Sequence, residues 1–154
     1  HRVEPTLCGL ALVYAQAPDK LWTDPVFLKR IKDMGTGMLR YPGGTVLQYF
    51  HWENPSGYGV RDNWADNFDA SRHFAPKEDW MSVDDFLDVI QATGAIPVWG
   101  ANLSSGERWD RRQDGINEAL DMLDYVKSKG ADKKRENARM IQEYRYTSSP
   151  PMKM

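Results

Sequence analysis

Short apolar runs alternate with amphipathic helical segments along this chain, and that alternation constrains its fold more than any other feature. Residues 7–13 are a run with Gly9 inside it, too short for a stable helix and expected as a strand buried on both faces. Asp24-Pro25 then offers an N-cap with Pro at the first helical position; Val26, Phe27, Ile31 and Met34 follow at helical spacing, and Gly35 is the stop. Residues 38–41 read as a second strand, halted by Pro42-Gly43-Gly44. The connection over about 42–81 is far longer than the usual link between a strand and a helix, which marks a functional loop. Ser82 opens the next helix as a capping box with Asp85; Phe86, Leu87, Val89 and Ile90 form its apolar face, and Gly94 closes it. Residues 95–99 are the third strand, where Pro97 would be awkward at a central position of a sheet. After a loop over 100–112, a helix is expected from about Asp114 to Lys129, with Ile116, Leu120, Leu123 and Val126 on one side and Gly130 as its end. A mostly polar helix over 132–143 and a break at Ser148-Ser149-Pro150-Pro151 would follow, and Met152-Lys153-Met154 suits the opening of a fourth strand.

Strand and helix in alternation specify an α/β fold of parallel strands joined by right-handed crossovers. No Gly-x-Gly-x-x-Gly turn follows the first strand, which weakens the dinucleotide-binding form of an open sheet. A closed barrel needs about 250 residues and eight strands. The 154 residues are therefore expected to be the N-terminal portion of a TIM (β/α)8 barrel, with about three strands and the start of a fourth.

Composition removes several partners. Lys and Arg number 20 against 22 Asp and Glu, and the longest basic run is Lys133-Lys134-Arg135, so no nucleic acid is expected. No apolar stretch approaches the ~20 residues that cross a bilayer, so no membrane span is expected. A single cysteine, Cys8, and three histidines without ligand spacing argue against a disulfide or a zinc site, and no metal or cofactor is expected.

All six tryptophans are expected on one face, at the end of the sheet where strands run into helices. Trp22 follows the first strand; Trp52, Trp64 and Trp80 belong to the long loop; Trp99 ends the third strand and Trp109 lies beyond it. Each alone could fill a small loop core. Together with Tyr41, Tyr49, His51 and Tyr58 on the same face, they suit a ligand with apolar faces and hydroxyl edges, of which a sugar is the commonest. Arg40 ends a strand expected to be buried and so needs a carboxylate or a ligand. The Gly43-Gly44 turn lets main chain approach a pocket. Asn102 could serve a substrate hydroxyl or simply form a turn. Glu118, inside a helix, reads as a surface residue, and Glu53, Asp62, Asp66 and Asp69 read as solvated loop acids.

Arg40-Tyr41-Pro42-Gly43-Gly44-Thr45, then His51-Trp52, the strand Gly94-Ala95-Ile96-Pro97-Val98, Asn102, Gly106 and Glu118-Ala119 through Tyr125-Val126 carry a resemblance. The chain resembles, from about Leu7 to Tyr125, the N-terminal part of retaining (β/α)8 glycoside hydrolases of the α-L-arabinofuranosidase type, whose outline agarases share. Thr45 departs from the usual pattern, which has a polar amide or a small residue there. The resemblance implies an oligosaccharide or polysaccharide substrate bound by Arg40, Gly43, Gly44, Trp52, Trp64, Trp99 and Asn102. It also implies that both catalytic glutamates lie beyond the last strand present here, so the chain alone would be inactive. The sequence leaves the compartment open; a polysaccharide substrate would suit a secreted or periplasmic enzyme. The alternative is a non-catalytic carbohydrate-binding or degenerate barrel protein. Either way, an open barrel edge would invite self-association.

Overall fold

The computed structural model describes residues 4–14, 18–53, 55, 62–66, 68 and 80–147. Three strands, β1 (Gly9–Ala11), β2 (Met38–Tyr41) and β3 (Ile96–Trp99), form a parallel sheet in the order β1-β2-β3. The helices are α1 (Pro25–Asp33), α2 (Val83–Thr93), the short α3 (Ser104–Arg108) and the long α4 (Arg112–Thr147). The expected βαβ alternation is therefore present as an open α/β sheet. Tyr58, Asp69, the break at 148–151 and the strand opening at 152–154 lie outside the described residues.

Local chemistry sets the helix ends. The Asp24 side chain accepts the Val26 N–H at 2.8 Å and Pro25 leads α1. At α2 the Ser82 hydroxyl accepts the Asp85 N–H at 3.1 Å while the Asp85 carboxylate accepts the Ser82 N–H at 2.8 Å. Gly94 then turns left-handed at φ 74°, and its N–H returns to the Ile90 carbonyl.

Side chains alternate across the strands, and the register sorts them into two faces. Leu39 and Tyr41 are fully buried against the helices with Ile31, Phe86, Leu87 and Val89. Tyr41 stacks on Phe86 at 4.9 Å, Trp99 meets Phe86 edge-on at 4.9 Å, and Phe50 packs on Tyr14 at 4.8 Å. The Tyr41 hydroxyl donates to the Met81 carbonyl at 2.7 Å, and burial holds that phenol well above its ordinary pKa. On the opposite face, Gly9 pairs with Met38 and Met38 with Ile96, Ala11 with Arg40 and Arg40 with Val98. Ile96 is 52% exposed and Val98 37%, so this face has no covering layer among the described residues.

Three expectations change. Residues 9–11 were expected to be buried on both faces and are exposed, because β1 is an edge strand with one face open. Pro97 is accommodated because the Ile96 N–H bonds toward β2 and the Pro97 nitrogen faces the other side, where no strand pairs with β3 among the described residues, so a missing N–H costs no ladder bond there. Gly130 does not end a helix: α4 runs unbroken through it, joining the two expected helices. Glycine in a helix interior costs only about 1 kcal/mol, and without a proline or a left-handed turn nothing stops propagation.

Candidate functional site

Two groups of candidate site residues flank the C-terminal end of β2. The first is the turn itself. Gly43 has φ 129°, and a Cβ there would lie 2.9 Å from Val46 Cγ2 and 3.2 Å from Val13 Cγ2, so only glycine fits. A Cβ on Gly44 would sit 3.5 Å from Arg40 Nη2, so bare main chain lies against the guanidinium. Arg40 itself is exposed on the open sheet face rather than buried, which removes the desolvation cost that demanded a partner.

The second group is built by the loop after β2 and the start of α4. The turn Thr45–Tyr49 leads into Phe50, which is buried in the aromatic core and fixes the next residue, His51, at 3% exposure. His51 Nε2 lies 3.0 Å from Asp62 Oδ1, and Nδ1 lies 2.9 Å from both carboxylate oxygens of Glu118 on α4. Asp62, 4% exposed, is in turn the hub of its own set of donors. Its carboxylate accepts a short hydrogen bond from the Ser105 hydroxyl, the Trp64 N–H at 3.0 Å and Arg108 Nη1 at 2.9 Å. Burial alone would raise the Asp62 pKa, but Ser105, the Trp64 amide and His51 outweigh it and hold the carboxyl below its ordinary 3.8. Asn102 completes the set, donating to Ser105 Oγ at 2.7 Å and accepting the Ser105 N–H at 3.2 Å.

This constellation is not a nucleophile triad. The Ser105 hydroxyl is fully buried and meets a carboxylate, whereas a serine nucleophile must be exposed and meet the imidazole. Nor are Asp62 and Glu118 arranged as the acid and nucleophile of a glycosidase, because the imidazole between them occupies the space a glycosidic bond would need. Among the described residues, no group of three or more His, Cys, Asp or Glu is placed to hold a metal ion. No helix among them is long and apolar enough to cross a membrane.

Beside His51 opens a cleft of about 310 Å³, with Trp52, Glu53, Asn63 and Trp64 from the loop on one side. Asp114, Asn117, Glu118 and Asp121 of α4 line the other. The Trp64 ring packs 4.6 Å from His51 and carries the Arg111 guanidinium 4.3 Å over its own face. Trp52 leans on Tyr125 at 5.1 Å, and the Tyr125 hydroxyl donates to Asp84 of α2 at 2.9 Å. Two aromatic rings thus border a polar, mostly acidic space that can offer stacking surfaces and hydrogen-bond acceptors to a polyol.

The expected site residues therefore separate. Arg40, Gly43 and Gly44 meet at the strand end, while Trp52 and Trp64 border the cleft. Trp99 is half-buried against Tyr41 and Phe86. Asn102 forms the turn that the sequence left open as one of two roles; it also lines a crevice of about 10 Å³ shared with Trp52 and Glu118, room for little more than a water. Trp22 and Trp80 belong to the core, so the indoles do not form one surface. Glu118 is not a free surface residue, nor is Asp62 a solvated loop acid, since both are held by His51. Nothing local in the sequence signals those contacts, because the partners are 11 and 67 residues from His51.

Residues 30–144 match the family model described as the alpha-L-arabinofuranosidase 1 domain. An intracellular exo-alpha-(1->5)-L-arabinofuranosidase of Bifidobacterium longum is 32% identical over 99 residues, which is 64% of this chain and 16% of that protein. An exo-alpha-(1->6)-L-arabinofuranosidase of the same organism is 28% identical over 112 residues, 73% of this chain and 20% of that protein. The match thus spans a fifth or less of these relatives. No solved structure matches the chain significantly.

Proposed function

The chain belongs to the alpha-L-arabinofuranosidase domain family, and from that premise we propose that it is the N-terminal portion of a retaining (β/α)8 glycoside hydrolase acting on arabinofuranosides. The curated relatives are both named as arabinofuranosidases, which favours that sugar over the agarase-type alternative. In this reading the open sheet is the first part of the barrel wall, and its exposed face of Met38, Arg40, Ile96 and Val98 is barrel interior. Arg40 with the Gly43-Gly44 turn contributes to the innermost sugar subsite, and Trp99 and Asn102 support it from β3 and the loop after it.

The observation that carries the reading is the cleft bordered by Trp52 and Trp64 at the strand-to-helix end of the sheet, where barrel enzymes bind substrate. The chain supplies part of the substrate cleft and no catalytic pair. Retaining hydrolysis uses two carboxyl groups about 5 Å apart across the scissile bond, and the acids brought together here are spent on His51. The paired glutamates would belong to later strands.

Titration of the chain with arabino-oligosaccharides, read by tryptophan fluorescence, tests this. Binding is expected in the wild type and at least tenfold weaker in Trp52→Ala and Trp64→Ala, with no release of arabinose. Fluorescence indifferent to every arabino-oligosaccharide would overturn the reading, and hydrolysis by the isolated chain would overturn the assignment of catalysis to later strands. The uncovered sheet face should also drive self-association, so size-exclusion chromatography is expected to give a dimer or larger species.

A further inference from the structure

We propose that His51 is a positioning residue, a three-way clamp that fixes the two walls of the cleft relative to each other. The loop wall carries Trp52 and Trp64, and the helix wall is the first part of α4. His51 touches both walls and both arms of the loop. Its Nδ1 crosses to Glu118 on α4, and its Nε2 reaches Asp62, which ties down the arm bearing Trp64 through the Trp64 N–H. The imidazole is 3% exposed, so its ring nitrogens are satisfied by these carboxylates rather than by bulk water.

The side-chain type matters. Two carboxylates on opposite edges of one ring are both satisfied only by hydrogen on both ring nitrogens, or by a proton held on one of the carboxyls. A glutamine amide has its donor and acceptor at one end and cannot bridge them. Arg108 and Ser105 anchor Asp62 from α3, and Arg111 lies over Trp64. They fix the far arm of the loop and leave the crossing to Glu118 to His51. Clamping thus sets the spacing of Trp52 and Trp64 before any ligand arrives, which lowers the ordering cost of binding.

The clamp rests on the sugar reading only for what the cleft holds, so it is tested without sugar. The 154-residue chain, labelled with 5-fluorotryptophan and on ring nitrogen of histidine, is compared with His51→Gln and Glu118→Gln, signals being assigned by Trp→Phe variants. The expected result is at least one slowly exchanging ring N–H signal for His51 in the wild type. In both variants the fluorine resonances of Trp52 and Trp64 should shift and broaden while those of Trp22 and Trp80 in the core stay in place. The double variant His51→Gln/Glu118→Gln, which can pair two amides across the same gap, should return part of the shift. Absence of any slowly exchanging ring N–H signal, unmoved Trp52 and Trp64 resonances, or all six indoles changing together would each overturn the clamp. If Glu118→Gln gives the expected pattern but no arabino-oligosaccharide binds the wild type, the sugar reading fails and the clamp stands.

Discussion

The apolar layer between the sheet and its helices and the polar cluster centred on His51 and Asp62 both have buried centres, yet they are held by different physics. Around Tyr41, Phe86 and Leu39, stability comes from the area removed from water and from ring packing, so many side chains share it and each contact can be replaced by a neighbour. Around His51 and Asp62, the carboxylates meet specific donors on His51, Ser105 and Arg108, and removing a buried member leaves its partners unpaired. The first region tolerates rearrangement and loses stability by volume. The second gives little warning and loses stability by broken pairs.

The largest expected effect tests the apolar side. Phe86→Ala deletes a fully buried ring that contacts Tyr41 and Trp99, and should cost about 3 to 5 kcal/mol in denaturant unfolding. A loss under about 1 kcal/mol would mean that the aromatic layer is loosely packed and that the contrast is misplaced.

Next comes Asp62→Ala, which strips the partner from His51, Ser105 and Arg108 together and should cost about 3 kcal/mol although it removes little apolar area. Its pH dependence separates it from Phe86→Ala. Because the folded state holds the Asp62 carboxyl below its ordinary 3.8, the stabilisation is complete above that value and is lost as pH falls through the lowered one. The gap between wild type and Asp62→Ala should therefore narrow in strongly acidic solution, while the gap to Phe86→Ala stays constant. Parallel pH curves for both variants would erase the distinction between the regions.

The same contrast explains what could be read from the chain. The helix caps at Asp24 and Ser82, the left-handed stop at Gly94 and the strand at 38–41 are written in residues at most four apart, and they fold as their local pattern dictates. The partnership of His51 with Glu118 spans 67 residues and that of Ser105 with Asp62 spans 43, so it exists only once α4 packs on the loop. Trp52 and Trp64 were visible as sugar-type aromatics, but composition alone could not separate them from Trp22 and Trp80, whose rings the core absorbs. Gly130 misled for a related reason: its helix-ending signal is weak and no tertiary contact enforces it.

A smaller effect probes how far local signals carry stability. Ser82→Ala removes one half of the capping box at α2 and should cost about 1 kcal/mol, with the exposure of Trp52 and Trp64 to a soluble quencher unchanged. If quenching of those rings also rose, α2 would be coupled to the cleft through Asp84 and Tyr125, and the two regions would be one cooperative unit.

The smallest effect is expected at Gly130. This residue is helical inside α4, and a Cβ built there meets nothing within 4 Å, so Gly130→Ala adds a methyl group to open space while removing backbone freedom from the unfolded chain. The gain should be about 0.5 to 1 kcal/mol or less, seen as a rise in far-ultraviolet helicity and a slightly higher melting temperature. Because the cleft uses α4 only from Asp114 to Asp121, the His51 ring signals should not change. A gain in helicity that also sharpened those signals would show that the polar cluster draws its rigidity from the length of α4 rather than from the pairing of His51 with its two carboxylates.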